Sequence, residues 1–101
     1  MHVSPAVRRY IVDLVEGTRR HPDVYLGASP RASIMLLRAA RALAAADERD
    51  YVVPDDVKAL VTPVLAHRVI VTADAVMGGR SSQAVLQDLA AEVAVPLTGT
   101  A

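Results

Sequence analysis

The run Gly27-Ala28-Ser29-Pro30-Arg31-Ala32-Ser33 opens a helix and sets an arginine in its first turn. Ser29 is a favoured N-cap, Pro30 has the backbone angle of a first helical position, and Gly27 can take whatever angle the incoming turn needs. A helix start leaves N–H groups free and carries the positive end of the helix dipole, which favours an anion. A guanidinium beside it adds a forked, permanently charged donor suited to phosphate oxygens. Taken alone, the segment has two interpretations. Arg31 is either a phosphate contact, with Ser29 and Pro30 beside it, or an ordinary surface arginine behind a well-capped helix.

Outward from this point the chain reads as helices joined by short extended pieces. The helix that Pro30 opens should run to about Asp47, with Ser33, Leu36, Leu37, Ala40, Leu43 and Ala44 along one side and Ile34, Met35 and Ala39 widening the apolar surface. Arg31 and Arg38 are seven residues apart and share a face, and Arg41 is turned away from them. An earlier helix begins at Ser4-Pro5. Its Val7, Tyr10, Ile11, Leu14 and Val15 fall at offsets 0, 3, 4, 7 and 8, and Gly17 marks its expected end. A third begins at Pro54-Asp55-Asp56, where the two aspartates complement the helix dipole, and Val57, Leu60, Val61, Val64 and Leu65 repeat the same offsets. Pro63 should kink or restart it, and His67 and Arg68 close it. A fourth, capped by Ser81 or Ser82, carries Val85, Leu86, Leu89, Ala90 and Val93 inward and stops before Pro96.

Between the helices, Val24-Tyr25-Leu26, Tyr51-Val52-Val53 and Val69-Ile70-Val71 are short and β-prone, enough for at most a minimal two-stranded ribbon. The stretch from Thr72 to Arg80 reads as a loop. The expected fold is therefore mainly α: a small bundle of about four helices over residues 1–101, with 1–4 and 97–101 flexible.

Composition excludes several function classes. The chain of 101 residues is 52% hydrophobic, yet has no Phe, no Trp and three Tyr, so its core is aliphatic and alanine-rich, which favours closely packed helices. Eleven basic and eleven acidic residues cancel, which leaves no global field to attract nucleic acid or an anionic membrane. No basic recognition helix or interleaved aromatics support a DNA-binding domain. There is no cysteine, and His2, His21 and His67 are too scattered to pair as metal ligands, so no metal site is expected. No apolar stretch reaches the length of a membrane span. No nucleophile with a base and no carboxylate pair stands at diagnostic spacing, so this chain alone is not expected to be an enzyme. Gly78-Gly79 is not part of a phosphate loop, because no Gly-x-x-x-x-Gly-Lys-Ser/Thr pattern exists in the chain.

One set of residues points further. Leu26-Gly27-Ala28-Ser29-Pro30-Arg31-Ala32 is followed by Tyr51-Val52 with Pro54-Asp55-Asp56-Val57. Val64-Leu65 with His67-Arg68 comes next, and then Gly79-Arg80-Ser81. In this order and approximate spacing they resemble the C-terminal lid subdomain of MoxR-type AAA+ ATPases, over nearly all of the chain from Val7 to Pro96. The pattern departs from the family at Val53, where a Thr or Ser cap is usual, and in Val71 to Gly79, which lacks the family's acidic, proline-containing character.

The resemblance implies that Arg31 is the sensor-2 residue, contacting the terminal phosphate of ATP held mainly by a larger upstream domain that this chain does not contain. It implies ATP and Mg2+ in the full-length protein, none of it tightly bound to this chain, and a cytoplasmic hexamer that remodels protein clients. Its implied partners are the upstream domain, neighbouring subunits and proteins with von Willebrand factor A domains. Nucleic acid and membrane are not among them. The alternative is a free-standing helical module that binds another protein through an exposed apolar face and has no nucleotide function.

Overall fold

Four long helices form the bundle in this computed structural model, which describes residues 1–96: α1 (Pro5–Thr18), α2 (Arg31–Ala46), α3 (Pro54–Leu65) and α5 (Ser82–Glu92), with a short α4 (Ala73–Met77) between the last two. β1 (Val24–Leu26) and β2 (Ile70–Val71) pair antiparallel as a two-stranded ribbon, with Val24 opposite Val71 and Leu26 opposite Ile70 across an irregular register. The helical bundle and the minimal ribbon are those expected from the sequence. Both α2 and α5 pack against α1 and α3, and α1 also touches α3, so the core lies among these four helices.

The repeating offsets of α1 translate directly into burial. Val7, Tyr10, Ile11, Leu14 and Val15 are all buried, and Ser4 Oγ accepts the Val7 N–H at 3.2 Å to cap the helix. The helix runs through Gly17 to Thr18 rather than ending at the glycine. A Cβ at position 17 would lie 2.7 Å from Leu89 Cδ1, so Gly17 serves the close approach of α5 and not termination. In α3, Val57, Val61 and Leu65 are buried, and the helix continues past Pro63, which sits in its last turn and forgoes only one late ladder hydrogen bond. His67 and Arg68 lie beyond the end of that helix and are exposed.

α2 buries the expected Leu36, Ala40 and Ala44 but differs at the margins of that face, where Ala32 is buried and Leu43 is not. Its buried residues are Ala32, Leu36, Ala40 and Ala44, a single ridge at intervals of four, while Ile34 is 52% and Leu43 37% exposed. Three alanines in that ridge let α1 and α3 approach closely, and ridge-into-groove packing chooses the small-residue row over the bulkier one beside it.

Two connections also differ from expectation. Residues 72–80 are not all loop: Thr72 Oγ1 accepts the Ala75 N–H at 3.1 Å and starts the five-residue α4, too short to show a period in the sequence. Tyr51 joins a parallel bridge to His2 rather than the ribbon, through hydrogen bonds from His2 N–H to Asp50 O (2.8 Å) and Val52 N–H to His2 O (3.0 Å). Of the ends expected to be flexible, residues 1–4 therefore run beside 50–52, and 97–101 lie outside the described residues.

The turn between α2 and α3 is held by charge. Glu48 sits in the left-handed region (φ 57°), Arg49 N–H reaches Ala44 O and Glu48 N–H reaches Ala45 O, a Schellman closure with glutamate in the place usually taken by glycine. Arg49 then clamps Asp56 with two hydrogen bonds of 2.8 and 2.7 Å and also reaches Asp47 and the Tyr51 carbonyl. Asp56 Oδ2 accepts the Val53 N–H at 2.9 Å, so it closes the start of α3 from inside although Val53 has no capping side chain. The Asp56 carboxyl is buried and is held below its ordinary pKa, chiefly by the Arg49 hydrogen bonds. Asp56 is thus an ion-pair anchor rather than only a dipole complement.

Candidate functional site

A three-residue strand and a four-residue loop carry the chain from the ribbon to Arg31, and both ends of that path are fixed. The upstream end is β1 in the ribbon. The downstream end is Ala28, fully buried, whose N–H donates to Thr18 Oγ1 at 2.9 Å. Thr18 is itself fully buried and its hydroxyl donates to Val15 O at 2.6 Å, so one side chain satisfies two backbone groups and fastens the loop to the end of α1. Gly27 passes so close to α1 that an added Cβ would lie 2.7 Å from Arg19 Cα and 2.8 Å from its nitrogen. The glycine is required for contact between two backbones, not for an unusual turn angle.

The three expected site residues, Ser29, Pro30 and Arg31, are adjacent and exposed at the start of α2. The cap differs from the sequence reading. Pro30 is already helical (φ −56°, ψ −27°), no side chain caps the helix, and it is the Ser29 carbonyl that accepts the Ala32 N–H, at 2.9 Å. The Pro30 carbonyl accepts the Ser33 N–H at 3.1 Å. Pro30 takes the first helical angles as expected, and i→i−3 bonds tighten the first turn, so those two donors are satisfied within the helix rather than by the Ser29 side chain or an anion. The hydroxyl of Ser29 is left on the surface.

What remains for an anion is Arg31. No ion pair involves it among the described residues, and α2 has no acidic residue in its first turn. A cation at the positive end of a helix dipole, without a carboxylate to offset it, is electrostatically disfavoured in the isolated domain. An incoming anion relieves that repulsion and meets a planar, two-pronged donor.

Arg80, by contrast, is engaged. It pairs with Asp88 of α5 and stands 3.7 Å from Asp23 before β1, and the Asp88 hydrogen bond raises its pKa further above the arginine range. It fastens the ribbon to α5. Thr18 and Arg49 are the contributors that sequence reasoning missed. The signal for Thr18 is a hydroxyl at a helix end next to a glycine, and its partner lies ten residues away.

Comparison with known proteins places this geometry. Residues 16–89 match the AAA lid domain family, a span that contains Thr18, Gly27 and Arg31. The whole chain is 41% identical to the Bacillus subtilis protein YeaC, of which it covers 32%. Over 93% of its length it is 38% identical to Chaperone MoxR1 of Mycobacterium tuberculosis, covering 27% of that protein. It is also 40% identical to Protein MoxR of Paracoccus denitrificans over 70% of its length, covering 25% of that protein. A crystal structure of a Cytophaga hutchinsonii protein named as a candidate ATPase superposes with a TM-score of 0.86 at 31% identity, over 94% of this chain and 32% of that one. The chain thus spans about a third or less of the length of these relatives. It belongs to the AAA lid domain family and is the lid of a MoxR-like AAA+ ATPase.

Proposed function

We propose that this lid supplies the sensor-2 arginine, Arg31, to ATP bound by an upstream AAA+ domain, and that it couples the state of the nucleotide to movement of the lid. The observation that carries the reading is the isolated guanidinium of Arg31 at the start of α2, with no acidic residue in the first turn and no ion-pair partner among the described residues. When bound, ATP supplies the anhydride whose hydrolysis drives the cycle. Arg31 donates to its terminal phosphate oxygens and offsets negative charge as that group departs. Ser29 and Pro30 shape the approach, as the exposed rim from which the guanidinium projects.

Coupling follows from the way the loop is fixed. A shift of Arg31 is a shift of α2, and Ala28 is bonded to α1 through Thr18, so the arginine moves with the bundle rather than on a slack loop. Mg2+ falls to the upstream domain in this reading: among the described residues no three His, Cys, Asp or Glu side chains gather as a metal site. ATP bound by the isolated lid would have Arg31 as its chief contact, too little for tight binding or turnover.

The wider reading is a cytoplasmic hexamer that remodels protein clients and works with von Willebrand factor A domain partners. The name of the relative Chaperone MoxR1 supports the remodelling part. No helix among the described residues is long and apolar enough to cross a membrane. ATP hydrolysis by the full-length parent carrying Arg31→Ala tests the central step.

A further inference from the structure

The segment that leads into α1 is built into the body of the lid. His2 N–H donates to Asp50 O at 2.8 Å and Val52 N–H donates to His2 O at 3.0 Å, while Val3 and Val52 are both buried in the same core. Ser4 Oγ then caps α1, so no slack residue separates the bridge from the first helix. The other half of the bridge is held as firmly. Arg49 donates to the Tyr51 carbonyl at 3.1 Å and its guanidinium stands 5.8 Å from the centre of the Tyr51 ring. Its remaining bonds go to Asp47 and to the buried Asp56. The Schellman turn that positions Arg49 closes α2, the helix whose first residue is Arg31.

α2 thus has Arg31 at one end and the α2–α3 turn at the other, a span of about 24 Å for its 16 residues. In the parent, the polypeptide coming from an upstream AAA+ domain reaches α1 by way of residues 2–4, and these are fastened to that turn. We infer that residues 2–4 are a clasp that moves with the lid, that the hinge to the upstream domain lies before His2, and that α2 is the lever joining Arg31 to that hinge. Two backbone hydrogen bonds and a buried valine oppose opening of the clasp, so rotation between the domains is taken up where the chain is not held. A displacement of Arg31 is then delivered along a rigid helix to the place where the chain leaves the lid. Arg49 is a positioning residue here: it lies at the opposite end of α2 from Arg31 and acts by holding Tyr51 and the helix end. The lever rests on the sensor-2 reading of Arg31, whereas the clasp and the place of the hinge do not.

The test is hydrogen–deuterium exchange on the full-length parent, read by mass spectrometry from overlapping peptides across the start of the lid and residues 50–53, with ADP and with ATPγS. The amides of His2 and Val52 should exchange about a hundredfold or more slowly than unstructured ones, and equally so with either nucleotide. Fast exchange of both, or protection lost with one nucleotide, would put the hinge inside residues 2–4 and overturn the inference. His2→Pro removes the donor to Asp50 O, and His2→Ala, at an exposed side chain, retains it. His2→Pro should speed exchange of the Val52 amide and lower ATP turnover about threefold or more with nucleotide binding retained, and His2→Ala should match the parent. Unchanged turnover in His2→Pro, despite faster exchange at Val52, would overturn the lever. If His2→Pro unfolds the lid, exchange in the unmodified parent decides. Unchanged turnover in Arg31→Ala would instead contradict the sensor-2 reading and leave slow exchange at His2 and Val52 untouched, so the two failures are told apart.

Discussion

Thr18 Oγ1 accepts the N–H of Ala28 at 2.9 Å, and through this one bond the end of α1 fixes the loop that presents Arg31. Thr18→Val keeps the shape and removes the acceptor, which leaves a buried N–H unsatisfied. We expect a loss of about 1 to 3 kcal/mol of stability in urea unfolding, largely recovered in Thr18→Ser.

The same loop passes α1 at Gly27, where a Cβ would meet the backbone of Arg19 at 2.7 Å. Backbone atoms cannot rotate away as a side chain can. Gly27→Ala should therefore displace the loop and cost about 1 to 3 kcal/mol by thermal unfolding, although alanine is tolerated at its backbone angles.

These two contacts show where sequence and structure part. The faces of α1 and α3 were legible because Val7 to Val15 and Val57 to Leu65 repeat at helical offsets, and a repeating offset fixes a face whatever it packs against. The bundle and the ribbon followed from such patterns, as did the arginine at the start of α2. What was not legible depends on the partner. Beside the expected Leu36, Ala40 and Ala44, the burial of Ala32 and the exposure of Leu43 are decided by how closely neighbouring helices approach. Thr18, next to Gly17, finds its partner only when the fold returns Ala28 to it. Gly17 and Gly27 looked like chain punctuation, and both are places where another element comes within contact distance. Pro30 opens the helix as its fixed angle suggested, but it is the Ser29 carbonyl and not its side chain that meets the first free N–H.

The Arg49–Asp56 clamp predicts a pH dependence. Asp56 has a depressed pKa in the folded state, so its contribution is fully present above the unfolded carboxylate value, about 4, and is lost as pH falls through the lower folded value. Urea midpoints should fall as the pH is lowered below about 4, and Asp56→Asn should be less stable at neutral pH and lose less on acidification.

Glu48 holds a left-handed angle that costs a side-chain-bearing residue energy, and its N–H closes the end of α2 by reaching Ala45 O. Glu48→Gly keeps that hydrogen bond and removes the steric penalty. A gain of about 1 kcal/mol is expected in the unfolding midpoint, with no change in the helical circular dichroism.

The sensor-2 assignment of Arg31 is tested most directly by ATP binding and steady-state hydrolysis in the full-length parent carrying Arg31→Ala, measured beside the unmodified protein. The guanidinium is exposed and makes no ion pair among the described residues, so the fold should be unaffected. A fall in turnover of about tenfold or more at an unchanged unfolding midpoint is predicted, the scale expected for removing a charged donor from a transferring phosphoryl group. Unchanged binding and turnover would contradict the account and return Arg31 to a surface arginine at the start of a helix.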